Sequence, residues 1–164
     1  ESESVDVVTC CHGYMFCADK SKAFSETYRV LKPGGTLIAT VWERLSLAQL
    51  VNAILTEVVG HAPPPHIAMT LAGDGILEQT LEDTGFRSIQ TSLSSYPISF
   101  SSDPELQYKY GVMTVKDELD KLDAHETARR LFFANTDRYF TMEQGELILK
   151  ESTFKLAVAV KPEL

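Results

Sequence analysis

Apolar positions along this chain recur with two different periods. Residues 5–10 (Val5-Asp6-Val7-Val8-Thr9-Cys10) and residues 36–42, ending at Trp42, are short apolar or β-branched runs of strand length. Between them Phe24, Tyr28 and Leu31 fall at i, i+4 and i+7, the buried stripe of an amphipathic helix. Asp19 or Ser21 stands where a cap belongs, and an acidic group suits the positive end of a helix. Glu26 and Arg29, three apart, can pair on its surface. Leu31 and Lys32 can still be helical, but Pro33 lacks an N–H and cannot continue the ladder. Gly34 and Gly35 can take the positive φ of a tight helix-to-strand reversal. Strand, helix, turn and strand within about forty residues make a βαβ crossover. The strand at 36–42 reads as buried on both faces.

The helical period returns at Leu47, Leu50, Ile54, Leu55 and Val58, with Ser46 as the expected cap and Gly60 as the stop. His61-Ala62-Pro63-Pro64-Pro65-His66 cannot be helical and reads as an extended hinge or lid, completing a segment at 43–75. A third helix is predicted over 74–84 with Ile76, Leu77, Thr80 and Leu81 inward. Gly85 then caps it and Phe86 anchors it. A strand follows within 89–100, interrupted near Pro97, so 76–100 is a helix and a strand. Asp103 and Pro104 suit a helix start. Residues 103–140 are expected to be a helical cover in two or three pieces, carrying Leu106, Tyr110, Met113, Leu119, Leu122, Leu131 and Phe132. Alternating charges mark its solvated faces. From Gly145, Leu147 to Leu149 and then Phe154, Leu156, Val158 and Val160 form a final β segment at 145–161. Neither an internal repeat nor a low-complexity tract interrupts this order.

A chain of 164 residues supports one core and one domain. Its net charge of −8 argues against a nonspecific nucleic-acid surface. No apolar run approaches the roughly 20 residues that span a bilayer, so no membrane partner is expected. Three cysteines crowded at Cys10, Cys11 and Cys17 are no disulfide framework and point to a reducing, cytoplasmic setting. Cys10, Cys11 and His12 lack a second ligand cluster at metal-site spacing, so no metal is expected. Buried thiols at a strand end are the plainer reading.

Over residues 4–42 the sequence resembles the second half of a class I S-adenosylmethionine (SAM)-dependent methyltransferase. The motifs are S-V-D-V-V-T and A-F-S-E-T-Y-R-V-L-K-P-G-G-T-L-I-A-T-V-W. It is most similar to the group that holds the ubiquinone and menaquinone C-methyltransferases. Asp6, Asp19, Glu26, Arg29 and the Pro33-Gly34-Gly35 turn carry the likeness, and Gly85-Phe86 is a second match. The fold class implied is α/β: the C-terminal half of a Rossmann-like sheet, strands 4, 5, 7 and 6, with helices on both faces. The last strand would be antiparallel.

The glycine-rich SAM loop and strands 1 to 3 of that family have no counterpart in this sequence. The resemblance therefore implies a fragment of a longer enzyme, inactive alone and unable to hold SAM tightly. It places Cys10, Cys11, His12, Tyr14 and Phe16 at the mouth that receives the methionine end of SAM. Trp42 and Glu43 would border the pocket of a small-molecule acceptor. For Tyr14 and Phe16 a simple packing role competes with the site role, and Trp42 can equally be core. No residue stands out as catalytic, although His12 or Glu43 can serve as a base where the acceptor must lose a proton. His61, His66 and His125 read as surface histidines, the first two beside a lid. The strand at 5–10 would be an unpaired apolar edge, which invites a homodimer or poor solubility. Two other classes compete: a noncatalytic, self-associating half-domain, and a nicotinamide dehydrogenase fragment. The dehydrogenase is disfavoured because its G-x-G-x-x-G is missing and L-K-P-G-G is not its habit.

Overall fold

A computed structural model describes residues 1–163. In chain order its elements are β1 (Val5–Cys11), α1 (Lys20–Val30), β2 (Leu31–Leu45), α2 (Ser46–Val59), α3 (Ile76–Thr84), β3 (Arg87–Ser95) and β4 (Ser99–Phe100). Then come α4 (Pro104–Gly111), α5 (Lys116–Lys121), α6 (His125–Ala134), α7 (Thr136–Tyr139), β5 (Phe140–Glu143), β6 (Glu146–Leu149) and β7 (Ser152–Val160). The chain forms two compact units. The first holds residues 1–43, 68–94 and the segment from Thr153 onward; the second holds 44–67 and 95–152.

The first unit is built on a four-stranded sheet of order β1-β2-β7-β3. In the numbering that the resemblance implies, this order reads 4, 5, 7, 6. β1 and β2 are parallel, with Val8 opposite Leu37 and Cys10 opposite Ala39. β7 runs back along β2: Gly34 N–H donates to Lys161 C=O and Lys161 N–H donates to Gly35 C=O, both at 2.9 Å. Such a reciprocal exchange marks an antiparallel pair. Asp19 caps α1, its carboxylate accepting the Lys22 N–H at 2.8 Å. Glu26 and Arg29 pair at 2.8 Å on the exposed face.

The helix-to-strand turn is tighter than expected. α1 stops at Val30, and Leu31 and Lys32 already belong to β2. Only Gly34 takes positive φ, at 77°. Gly35 is needed for room instead: a Cβ there would lie 2.8 Å from the Lys32 carbonyl oxygen. α3 ends as expected on Gly85, whose φ is 109°, and Phe86 N–H reaches back to Leu81 C=O. Phe86, Leu77 and Leu81 are fully buried, but Ile76 is exposed, since the helix starts only there.

Burial of β2 is one-sided. Leu37, Ala39 and Val41 are fully buried, whereas Ile38 on the other face is 36% exposed. On β1, Val5 is 36% and Val7 53% exposed. The expectation that β2 is buried on both faces fails within this unit. Its two helices, α1 and α3, pack against each other through Tyr28, which lies edge-on to Phe86 and against Gly85. They therefore share one face of the sheet.

The second unit contains α2, the proline segment, helices α4 to α7 and a separate three-stranded antiparallel sheet of order β4-β6-β5. This sheet was not foreseen: the β segment at 145–161 breaks after Leu149, and only its second part enters the main sheet. The helical stretch falls into four short helices, α4 to α7, rather than two or three. Asp103 caps α4 at 2.8 Å with Pro104 in the first turn. Leu119 and Phe132 are fully buried, while Tyr110, Met113 and Leu122 are exposed. Ser46 is not a cap but the first residue of α2, and its N–H donates to Glu151 C=O. Gly60 ends α2 with φ of 77°.

Candidate functional site

The carboxyl end of β1 is where ligands meet open α/β sheets. There the ladder to β2 runs one residue past the strand. His12 N–H donates to both the carbonyl and the hydroxyl of Thr40, each at 3.1 Å. Holding this bond while leaving the sheet puts His12 in the left-handed region, φ 49°. Its ring stacks on Trp42 with centroids 4.1 Å apart and planes 13° from parallel. Phe154 of β7 meets the same ring edge-on at 5.7 Å. Burial pushes the His12 pKa down from its ordinary value, so the imidazole is held neutral. Cys11 is exposed and lies 3.6 Å from the Thr40 hydroxyl.

The next residues part company. Tyr14 and Met15 sit in a 3-10 turn, Tyr14–Phe16, and both are buried. Tyr14 stacks on Phe24 at 4.1 Å, and its hydroxyl lies 2.6 Å from the Thr27 hydroxyl. Burial raises its pKa, against the opposing pull of that hydrogen bond. Tyr14 thus fastens α1 to the sheet, the packing role weighed for it in the sequence. Phe16 is 48% exposed. Gly13 leaves space beside Cys10: a Cβ would come within 2.7 Å of its sulfur.

Trp42 is nearly buried under His12. Glu43 is held by two neighbours within the first unit. Its Oε1 accepts the Gly73 N–H at 3.2 Å, and its Oε2 lies 3.5 Å from Lys155 Nζ. The Lys155 ammonium also reaches Glu78 Oε2 and the Gly73 carbonyl, each at 3.2 Å. Burial alone would raise the Glu78 pKa, but its own backbone N–H, the Thr91 hydroxyl and Lys155 outweigh that and hold it below the usual range. Lys155 was not singled out in the sequence. Its signal was register: it shares a period of two with Ala157 and Ala159, both fully buried.

Among the outlying histidines, His61 is exposed. His66 is buried, its Nε2 2.8 Å from the Thr114 hydroxyl, and burial lowers its pKa. His125 lies between Tyr108 Oη at 3.0 Å and Asp120 Oδ1 at 2.7 Å. Among the described residues, no group of three or more His, Cys, Asp or Glu can hold a metal ion. Nor is any helix there long and apolar enough to cross a membrane.

Cys11, His12 and Gly13 stand together at this edge with Trp42 against the His12 ring, while Tyr14 packs on Phe24 and Glu43 meets Lys155. The His12 ring lies between Trp42, which it stacks on, and Phe154, which meets it edge-on. A polarised sulfonium gains from an aromatic face.

This is a Rossmann-like α/β sheet of the kind found in class I methyltransferases. Residues 1–39 match a family model described as a methyltransferase domain. The YcgJ protein of Bacillus subtilis is similar in structure, with a TM-score of 0.54 at 19% identity, over 99% of this chain and 66% of that one. A candidate methyltransferase from Bacillus halodurans gives 0.50 at 17% identity, over 98% and 66%. The [4+2]-cyclase SpnF also gives 0.50 at 17%, over 99% and 52%. At such identities the structural likeness speaks for the fold. The chain spans 66% of the length of the first two and about half of the third. The resemblance to class I SAM-dependent methyltransferases therefore holds in the fold and in the opening segment.

Proposed function

We propose that this chain is part of a SAM-dependent methyltransferase acting on a small-molecule acceptor. The observation that carries the reading is the β1–α1–β2 unit. It matches the family model and ends in the His12–Trp42 stack at the carboxyl edge of the sheet. SAM supplies an electrophilic methyl on its sulfonium. Cys11, the His12 backbone, Gly13 and Phe16 would hold its methionine end. His12, whose pKa burial lowers, is the candidate base should the acceptor have to lose a proton. Such an enzyme works mainly by alignment at near-attack distance.

Coverage of only part of the similar structures supports a longer parent, whose remaining residues would hold the nucleoside. The three thiols, none in a disulfide, fit a reducing compartment such as the cytoplasm. The test is thermal stabilisation by SAM. A ligand at 100 times its Kd adds about 2.7 kcal/mol. No shift for these 164 residues and a clear shift for a chain extended by its upstream residues is the expected pair of results. An extended chain that also ignores SAM refutes the reading.

A noncatalytic, self-associating half-domain is the second reading. It is favoured by the exposure of Val5, Val7 and Ile38 on and beside an edge strand. A cyclase among the similar structures adds that this fold hosts chemistry other than methyl transfer. Association through β1 would pair its unpaired backbone row with a second copy.

A further inference from the structure

The second unit contains a cavity of about 550 Å³, walled by α2, the proline segment and the stretch from Met113 to Lys121. Its size falls within the roughly 300–1,000 Å³ of small-molecule sites. Three features shape the walls of this open cavity. Pro63, Pro64 and Pro65 give one wall fixed φ and no N–H donors. Leu119, fully buried, anchors α5, and Asp120 ties that helix to His125 of α6, whose ring meets Tyr108 of α4. His66, 6% exposed, is tied to the Thr114 hydroxyl at 2.8 Å, joining the proline segment to the opposite wall.

The lining is apolar at depth and charged at the rim. Leu55 and Val59 come from α2, and Ile67 and Met113 stand at the opening, 42% and 65% exposed. Two carboxylates, Asp117 and Glu118, and two ammonium groups, Lys116 and Lys121, line the rim. Lys116 is already paired with Asp120, at 2.5 Å, and Asp120 is not a lining residue. Counting Asp120 with its partner, three carboxylates stand here against two ammonium groups. A cation on an apolar body meets this balance; an anion does not.

We propose that this cavity binds a small apolar amine, its hydrocarbon among Leu55, Val59, Ile67 and Met113 and its ammonium at Asp117 and Glu118. The inference concerns the second unit alone and does not depend on methyl transfer.

Three eight-carbon probes test it by calorimetry at pH 7: octylamine, 1-octanol and octanoate. Octylamine should bind at least tenfold tighter than octanoate, with octanol between. Ile67→Trp, which fills the opening from an exposed position, should weaken octylamine at least tenfold while far-UV circular dichroism stays unchanged. Should that variant not fold, Met113→Trp at the more exposed rim position takes its place. The Asp117→Asn, Glu118→Gln double variant should bring octylamine down to the octanol value and leave octanol itself unmoved. Three outcomes would overturn the proposal: equal binding of all three probes, tighter binding of octanoate, or no binding of any at millimolar concentration. Octylamine affinity unaffected by either opening variant would overturn it too.

Discussion

Lys161 Nζ donates to the carbonyl of Leu31 at 2.8 Å, joining the end of the last strand to the point where α1 becomes β2. The same ammonium donates to the Tyr28 carbonyl at 3.1 Å and stands 4.8 Å from the Tyr28 ring centre. The last carbonyls of α1 have no helical partners, and they carry the negative end of the helix dipole. One lysine from a distant strand answers both needs.

Replacing it should therefore cost more than a surface charge would. Lys161→Met is expected to lower unfolding stability by about 1.5–3 kcal/mol, the range for charge-assisted hydrogen bonds. Glu3→Gln, removing the half-exposed partner at 3.2 Å, should cost under about 1 kcal/mol. Urea denaturation of both variants, compared at constant m-value, measures the difference.

Breaking the Lys155 cluster should be more severe. Lys155→Ala leaves Glu43 and Glu78 facing each other without their cation, a loss of about 3–5 kcal/mol. Lys155→Met with Glu43→Gln removes both charges and should recover a substantial part. Recovery marks the pair as an electrostatic constraint rather than a packing one, and a double-mutant cycle by urea unfolding reads it.

The same cluster sets a limit in acid. The Glu78 pKa is lower in the folded chain than in the unfolded one, so its contribution is complete above the unfolded value near 4.3. It is lost as pH falls through the lower folded value. Glu78→Gln should flatten the stability profile below about pH 4.3, followed by thermal melts across that range.

His12 gives an optical readout, because it lies against the sole tryptophan. Its folded pKa is depressed by burial, so the stability it contributes is present above the unfolded value of about 6.5 and is lost as pH falls through the folded one. Protonation places a cation over the indole and should quench Trp42 emission with a midpoint below about 6.5. His12→Phe should abolish that transition and leave emission flat. A midpoint at or above the ordinary histidine value would contradict the burial.

Gly111 tests packing in the second unit. A Cβ at this position would run into the Phe132 ring, which is fully buried among Tyr108, Phe133 and Phe140. Gly111→Ala should destabilise by about 1–3 kcal/mol, the cost of overpacking. Loss of near-ultraviolet circular dichroism at a lower melting temperature would report it.

Much of the first unit was legible because its signals are local. Asp19, Glu26, Arg29, Gly34, Gly85 and Phe86 act on backbone within a few residues of themselves, and each takes the part its chemistry suggests. What was hidden depends on partners far along the chain. The inward turn of Glu43 is set by Lys155, more than a hundred residues later, and Lys155 looks like any strand lysine until its register is known. For Tyr14 the sequence leaves a site role and a packing role open, and the contacts of its ring with Phe24 and its hydroxyl with Thr27 are not visible in it. The sheet β4-β6-β5 escaped notice because its strands have two to four residues, too few to display alternation. The alternation of β7 was visible, but both of its faces matter: Ala157 and Ala159 are the fully buried set, not the larger residues between them.

Val5, Val7 and Ile38 leave a strip of aliphatic surface beside an edge that still has hydrogen bonds to give. Where such a strip meets its like, each molecule becomes a ligand for the next, and folding is coupled to mass action. The melting temperature of this chain should then climb with its own concentration. Dilution would weaken it without any change of solvent.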